Sequence, residues 1–306
     1  MGTLLDGKYR VLQAIGHGGM GTVFEAHDTR NDCRVAIKVV GGAGSEEAFV
    51  RLEREAELVR AIRHPNILQM YDVGRLPNGR PYVVLERLVG HTLALHWQSS
   101  VRAPVADVID VFAQLLAGLT AVHDARILHR DLKPQNVFLS ETRGPRPVVK
   151  VLDFGFAANM ATVASARITR PGRAVGTVQY MSPEQVRGMP LDARSDLFAV
   201  AVMLYEALTG RHPFIGSSQA DLQNKIVNAT PRPIRQRRPG LPERFEDLVT
   251  AAMSKSPEAR PRSAADMRDA LLAMSYELPV AFDFEDEEPP SVTSPIWTPS
   301  VTSPSA

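Results

Sequence analysis

His129-Arg130-Asp131-Leu132-Lys133-Pro134-Gln135-Asn136 sets a carboxylate, a cation and an amide within one short stretch. Phosphoryl transfer needs such a set: a carboxylate to orient a hydroxyl and accept its proton, a lysine beside the moving phosphate, and an amide oxygen for a metal ion. An Asx-rich turn after a helix would show the same residue types. Asp153-Phe154-Gly155 follows the strand-like Val148-Val149-Lys150-Val151-Leu152 and offers a second carboxylate, and Mg²⁺ favours few carboxylates plus phosphate oxygens. Upstream, Gly16-His17-Gly18-Gly19-Met20-Gly21 lies between two strand-like runs, where glycines let a hairpin backbone approach phosphates without Cβ obstruction. A dinucleotide site would require a helix directly after these glycines, whereas Thr22-Val23-Phe24-Glu25-Ala26 reads as strand. An ordinary glycine-rich turn is the other alternative. Lys38 ends the β-branched run Val35-Ala36-Ile37-Lys38, which brings a cation toward whatever the glycines cover.

The elements that must position these residues fall into two regions. Residues 9 to 82 are mostly short strand-like runs (YRVLQAIG, GTVFEAHD, RVAIKVV, ILQMYDVG, PYVVLE) separated by Gly, Asn, Asp and Pro turn chemistry. One helix interrupts them, with Phe49, Leu52, Ala56, Val59 and Ile62 on one arc. Glu55 falls inside that arc, so its carboxylate needs a cationic partner, and Lys38 is the candidate. From residue 105 the pattern turns helical, in VADVIDVFAQLLAGLTAVHDA, DLFAVAVMLYEALTG, FEDLVTAAMS and AADMRDALLAMSY.

Composition narrows the class. A chain of 306 residues, 44% apolar and 23% charged, can bury a sizeable core. Formal charge is +1, but the last 28 residues carry five acidic groups and no Lys or Arg, an acidic tail on a mildly basic body. That asymmetry gives no argument for nucleic acid. Cys33 is the only cysteine, which excludes an intrachain disulfide and fits a reducing compartment. No signal peptide or myristoylation pattern opens the chain, and the longest apolar stretch, residues 197 to 208, is too short to span a bilayer and suits a buried core helix. No membrane segment and a cytoplasmic location are therefore expected. After Pro279 the composition shifts to Pro, Ser, Thr and acid, with SVTSP occurring twice, and this tail is expected to be disordered and dispensable for chemistry.

Taken in order, the glycine loop, VAIK, the helix glutamate, HRDLKPQN, DFG and Ser182-Pro183-Glu184 resemble the signature set of the eukaryotic-type (Hanks-type) serine/threonine protein kinases over residues 9 to 275. GHGGMGTVF and QYMSPEQ resemble bacterial members most closely. The resemblance implies an α+β bilobal fold: an antiparallel-sheet N-lobe with one helix over residues 1–88, a mainly helical C-lobe over 89–276, and a tail at 277–306. It implies transfer of the γ-phosphoryl group of ATP, held with Mg²⁺ or alternatively Mn²⁺, to Ser or Thr hydroxyls of protein substrates.

By the same resemblance Asp131 is the base, Lys133 the γ-phosphate contact, Lys38 the α/β-phosphate lysine and Glu55 its partner, while Asn136 and Asp153 hold the metal. Gly16, Gly18 and Gly21 cover the phosphates. Leu85 matches the gatekeeper, Glu86 and Leu88 the backbone contacts to adenine, and Val23, Ala36 and Phe138 its apolar walls, although plain core packing accounts for such residues as well. Lys133 and the Gly176-Thr177 pair match the serine/threonine type. Glu184 is expected to pair with Arg260, Asp196 to brace the catalytic loop, and Thr177 to bond Asp131. Thr169 matches the autophosphorylated position, with Arg130, Arg167, Arg170 and Arg173 as partners for its phosphate, and dimerisation would serve that step.

Departures from the pattern are Ala199 and Ala201 in the buried helix, and Arg87 for an aromatic in the hinge, which touches the rim of the adenine pocket. The cluster Arg232, Arg235, Arg237 and Arg238 is either a solvated charge run or a dock for acidic substrates. Three competing functions are a pseudokinase, which would lack Lys38, Asp131 or Asp153; a small-molecule kinase of the aminoglycoside type, which would lack the segment closing in Pro-Glu; and one module of a longer receptor.

Overall fold

The computed structural model describes residues 2–18, 21–40, 46–98, 103–141, 144, 146–153 and 178–277. The expectations for Thr169 and its neighbouring arginines, for Thr177 and for the tail lie outside the described residues, and so does the side chain of Glu55.

An antiparallel six-stranded sheet is built from β1 (Leu4–Leu5), β2 (Tyr9–Gly18), β3 (Gly21–Asp28), β4 (Cys33–Val40), β5 (Met70–Arg75) and β6 (Pro81–Glu86), in the order β1-β2-β3-β4-β6-β5. Its central strand β4 is apolar on both faces. Val35, Ile37 and Val39 join Tyr9, Ala26, Tyr82 and Val84 on one face. Ala36 lies on the other face with Val83, Leu85, Met70 and Ala56 of helix α1 (Glu46–Ala61). Because side chains alternate along a strand, Lys38 shares the face of Ala36, and its cross-strand neighbours are Val23 and Val83.

After β6 the chain crosses the hinge and forms a small sheet, β7 (Gly90–Thr92), β8 (Val137–Ser140) and β9 (Val148–Val151), together with helices α2 (Leu93–Gln98) and α3 (Val105–Asp124). Five further helices follow among the described residues: the short capped α4 (Pro183–Arg187), then α5 (Ala193–Thr209), α6 (Gln219–Asn228), α7 (Glu243–Ala252) and α8 (Ala264–Ala273). Helix α5 contains the apolar stretch noted in the sequence and is buried over nearly its whole length, between an Asp192 cap and Gly210 in the left-handed conformation. Helix α3 is the one described helix long and apolar enough to cross a membrane. Its apolar face (Val108, Phe112, Leu115, Leu119) is buried in the same core as α5, the packing of an interior helix.

The two sheets are joined by the stretch between α1 and β5. Val151 N–H donates to Asn66 O (2.9 Å), Leu68 N–H to Val151 O (3.1 Å), and Asn66 Nδ2 reaches Val149 O (2.9 Å). β7 depends on a single glycine: Gly90 has φ +136°, and a Cβ there would lie 2.1 Å from the Leu139 carbonyl oxygen. Gly90→Ala is expected to lower unfolding free energy by about 2–4 kcal/mol, read from denaturant midpoints. An unchanged midpoint would remove this constraint.

Candidate active site

The segment after α3 is shaped by one buried carboxylate. Asp196, at the start of α5, accepts the His129 N–H at 2.9 Å and the Arg130 N–H at 3.0 Å, and its Oδ2 lies 2.9 Å from the His123 ring. Burial alone would raise the Asp196 carboxyl, but the bonds from His123 and the His129 backbone outweigh it and hold the group ionised below its ordinary value. Arg130 takes a positive φ of 65°, a conformation that persists only where neighbours enforce it. The brace expected at Asp196 is therefore present.

Within the segment, Lys133 Nζ lies 2.7 Å from Asp131 Oδ2, and Asn136 Nδ2 donates to Asp131 O at 2.7 Å. Two bonds fasten the segment to the end of β9: the His129 ring donates to Leu152 O (2.8 Å) and Leu152 N–H to Asn136 O (2.8 Å). Asp153 comes next in the chain, at φ +51°, and its Oδ1 accepts from Lys38 Nζ at 2.6 Å. Residues from three separate stretches thus meet: Lys38 from β4, Asp131, Lys133 and Asn136 after α3, and Asp153 after β9. Lys38 has Asp153 as its described partner.

Beside them Val23, Ala36, Leu85, Leu88 and Leu152 form one apolar cluster, with Val23, Leu88 and Leu152 only partly buried. Phe138 in β8 is half-buried, opposite Lys150 and Thr92 in register. Gly16 and Gly18 stand across from Val23 and Gly21 in the β2–β3 hairpin above this cluster. Glu86 turns its carboxylate away to Lys150 Nζ (2.7 Å) and Gln69 N–H (2.9 Å).

Two oxygen donors suit a hard divalent cation here. Asn136 uses Nδ2 toward Asp131, which leaves Oδ1 for a metal, and Asp153 Oδ2 has no hydrogen-bond partner among the described residues.

One contact had no counterpart in the sequence reading. Gln185 Nε2 donates to Arg130 O at 2.7 Å and so ties α4 to the segment after α3. The readable signal was Ser182-x-x-Gln185, a capping box that is formed in full. Glu184 beside it meets Arg260 as expected, at 2.6 and 2.8 Å. The arginine cluster needs correcting, because two members face inward. Arg238 is 3% exposed and donates to Ala103 O and Leu208 O, while Arg237 Nε donates to the Tyr205 hydroxyl.

Comparison with known proteins gives the same picture. The family described as protein kinase domain matches residues 9–272. Serine/threonine-protein kinase pkn3 of Myxococcus xanthus is 37% identical over 284 residues, covering 90% of this chain and 52% of that protein. Serine/threonine-protein kinase PknB of Mycobacterium leprae is 37% identical over 273 residues, covering 88% of this chain and 43% of that protein. The chain spans about half, or less, of the length of these curated relatives. The solved PknI kinase domain of Mycobacterium tuberculosis aligns with TM-score 0.70 at 24% identity, over 89% of this chain and 98% of that one, a likeness that shows the shared fold.

Proposed function

Since the chain belongs to the protein kinase domain family, we propose that it transfers the γ-phosphoryl group of ATP to Ser or Thr hydroxyls of protein substrates. The observation that carries this reading is the convergence of Lys38, Asp131, Lys133, Asn136 and Asp153 beside the apolar cluster of Val23, Ala36, Leu85 and Leu88. We assign adenine to that cluster, with Phe138 as its floor and the Glu86 carbonyl and Leu88 N–H as its hydrogen-bonding edge. Gly16, Gly18 and Gly21 cover the phosphates.

In the proposed reaction the substrate oxygen attacks the γ-phosphorus, the bond from that phosphorus to the β–γ bridging oxygen breaks, and ADP leaves. Asp131 orients the hydroxyl and takes its proton. Lys133, held beside Asp131, neutralises the γ-phosphoryl oxygens, and Lys38 holds the α- and β-phosphates, with Glu55 assigned as its second partner. Asn136 and Asp153 hold the divalent metal, Mg²⁺ in this proposal, which when bound offsets charge on the phosphates. We place the lobe boundary near Leu88, the end of the C-lobe near Tyr276, and the activity in the cytoplasm.

The test is incubation with MgATP and a Ser/Thr peptide library, with Asp153→Asn as control. Lys38→Met is expected to leave unfolding unchanged and lower turnover by about 10²-fold, because it removes a preorganised charge. Turnover near that of the unaltered protein would take Lys38 out of the mechanism.

Thr169 is proposed as the autophosphorylated residue, its phosphate paired with Arg130 and the arginines around it. Mass spectrometry after incubation with ATP should find phosphate on Thr169, and Thr169→Ala should lower turnover. No phosphate together with unchanged turnover sinks this assignment.

A further inference from the structure

Arg87 occupies the hinge between the two residues assigned to the adenine edge, Glu86 and Leu88, and its side chain does not run free into solvent. Its Nε donates to Glu25 Oε1 at 3.2 Å, and its Nη1 donates to the carbonyl of Leu88. The two side chains are 26% and 15% exposed, so the pair is more shielded than an ordinary surface bridge. Glu25 belongs to β3, two residues beyond Val23 and directly across from Ala36, and alternation therefore puts it on the same face as both of those slot residues. β3 is also the strand that continues the glycine hairpin from Gly21.

Glu25 has two further partners, one on each neighbouring strand. Gln13 Nε2 in β2 donates to Oε2 at 2.9 Å, and Arg34 of β4 stands 4.0 Å away with its side chain 58% exposed. The Gln13 bond, outweighing modest burial and aided by Arg87 and Arg34, holds the Glu25 carboxyl below its ordinary value. Both hairpin strands are therefore tied through one carboxylate to one hinge guanidinium. A guanidinium suits this task because its charge is permanent and its donors are fixed in a plane, so the same group can hold Glu25 and the Leu88 carbonyl together.

We propose that the Arg87–Glu25 pair is a positioning latch for the adenine base, fixing the height of the glycine hairpin over the hinge. The proposal rests on the nucleotide reading above. It assigns Arg87 no contact with the reacting atoms. The residue acts through the roof strand and the hinge backbone, whose spacing sets how closely Val23 and Ala36 close on a flat ring. Without the pair, the hairpin is free to lift and the slot widens.

The probe is adenosine, which carries no charge and so does not respond to the altered charge in the way ATP would. Its dissociation constant is measured by calorimetry on the full chain for the unaltered protein, Arg87→Glu, Glu25→Arg and the double exchange, with thermal unfolding of each. Each single reversal is expected to weaken adenosine binding about tenfold, and the double exchange to recover part of that loss, since a carboxylate at position 87 restores the pair but cannot donate to the Leu88 carbonyl. Arg87→Met and Glu25→Gln, which add no opposing charge, should each weaken it about threefold. Adenosine affinity that falls in the singles and recovers in the double exchange, while the unfolding temperatures of all four proteins stay alike, is the readout that a merely structural role would not produce. Single variants that bind adenosine as tightly as the unaltered protein, or a double exchange as weak as the singles, overturn the latch alone. Failure of the unaltered protein to bind either adenosine or MgATP overturns the latch and the kinase reading together.

Discussion

Asp131→Asn is expected to lower phosphoryl transfer by about 10³-fold while leaving the fold unchanged. The substitution keeps the shape of the side chain and an oxygen that can accept from Lys133 and Asn136, which lie 2.7 and 3.4 Å from Oδ2. The backbone contacts of the segment are also kept, since the Asp131 carbonyl still receives Asn136 and its N–H still reaches His129 O at 2.9 Å. What is lost is the negative charge opposite Lys133 and, with it, the capacity to take a proton. Single-turnover rates with MgATP, measured beside thermal unfolding and nucleotide binding, separate these effects. A variant that binds nucleotide, unfolds at the same temperature and still turns over within tenfold would show that Asp131 is not the proton acceptor.

Arg260→Met is expected to produce the largest loss of stability, about 3–5 kcal/mol, because it leaves the Glu184 carboxylate buried without its counterion. The Arg260 side chain is fully buried and that of Glu184 is 6% exposed. Arg260 also donates to Arg194 O and Ser254 O, and Ser195 adds a bond to Glu184 at 2.6 Å. Burial alone would raise the Glu184 carboxyl, but the bonds from Arg260 and Ser195 bring it down to about 2. A folded value below the unfolded one means that the carboxylate's contribution is present above about pH 4.5 and is lost as pH falls toward about 2. The gap in denaturant midpoint between the unaltered protein and Arg260→Met should therefore be wide at pH 7 and narrow at pH 3. A gap under about 1 kcal/mol at pH 7 would show that the pair does not anchor α4. Combining Glu184→Gln with Arg260→Met should restore part of the loss, since no charge then stays buried.

These two sites differ in how they are found. Asp131 announces itself, because Asp, Lys and Asn within six positions are brought together by a single short turn, here the 3₁₀ turn Pro134–Asn136. Glu184 and Arg260 are 76 positions apart, and only the match to a family pattern suggested that they meet.

The sequence by itself determined the order of the parts and most of the local geometry. The two-residue period of the strand RVAIKVV places Lys38 on the face of Ala36, Ser182 and Gln185 close a capping box, and the apolar stretch in α5, broken only by Glu206, becomes a buried helix. Each of these follows from residue spacing within one element, where period and cap chemistry act over a few positions. Tertiary structure alone decided which distant groups share a hydrogen bond. Lys38 meets Asp153 across 115 positions, Asp196 collects the backbone of a segment 66 positions before it, and Arg87 finds Glu25 across 62. Arg237 and Arg238 look like surface charge in sequence, yet they turn inward because carbonyl and hydroxyl acceptors of other elements come within reach only after the lobe has packed. Hydrogen-bond partners are set by distances of about 3 Å in space, which the spacing of residues along a chain does not encode once several elements intervene.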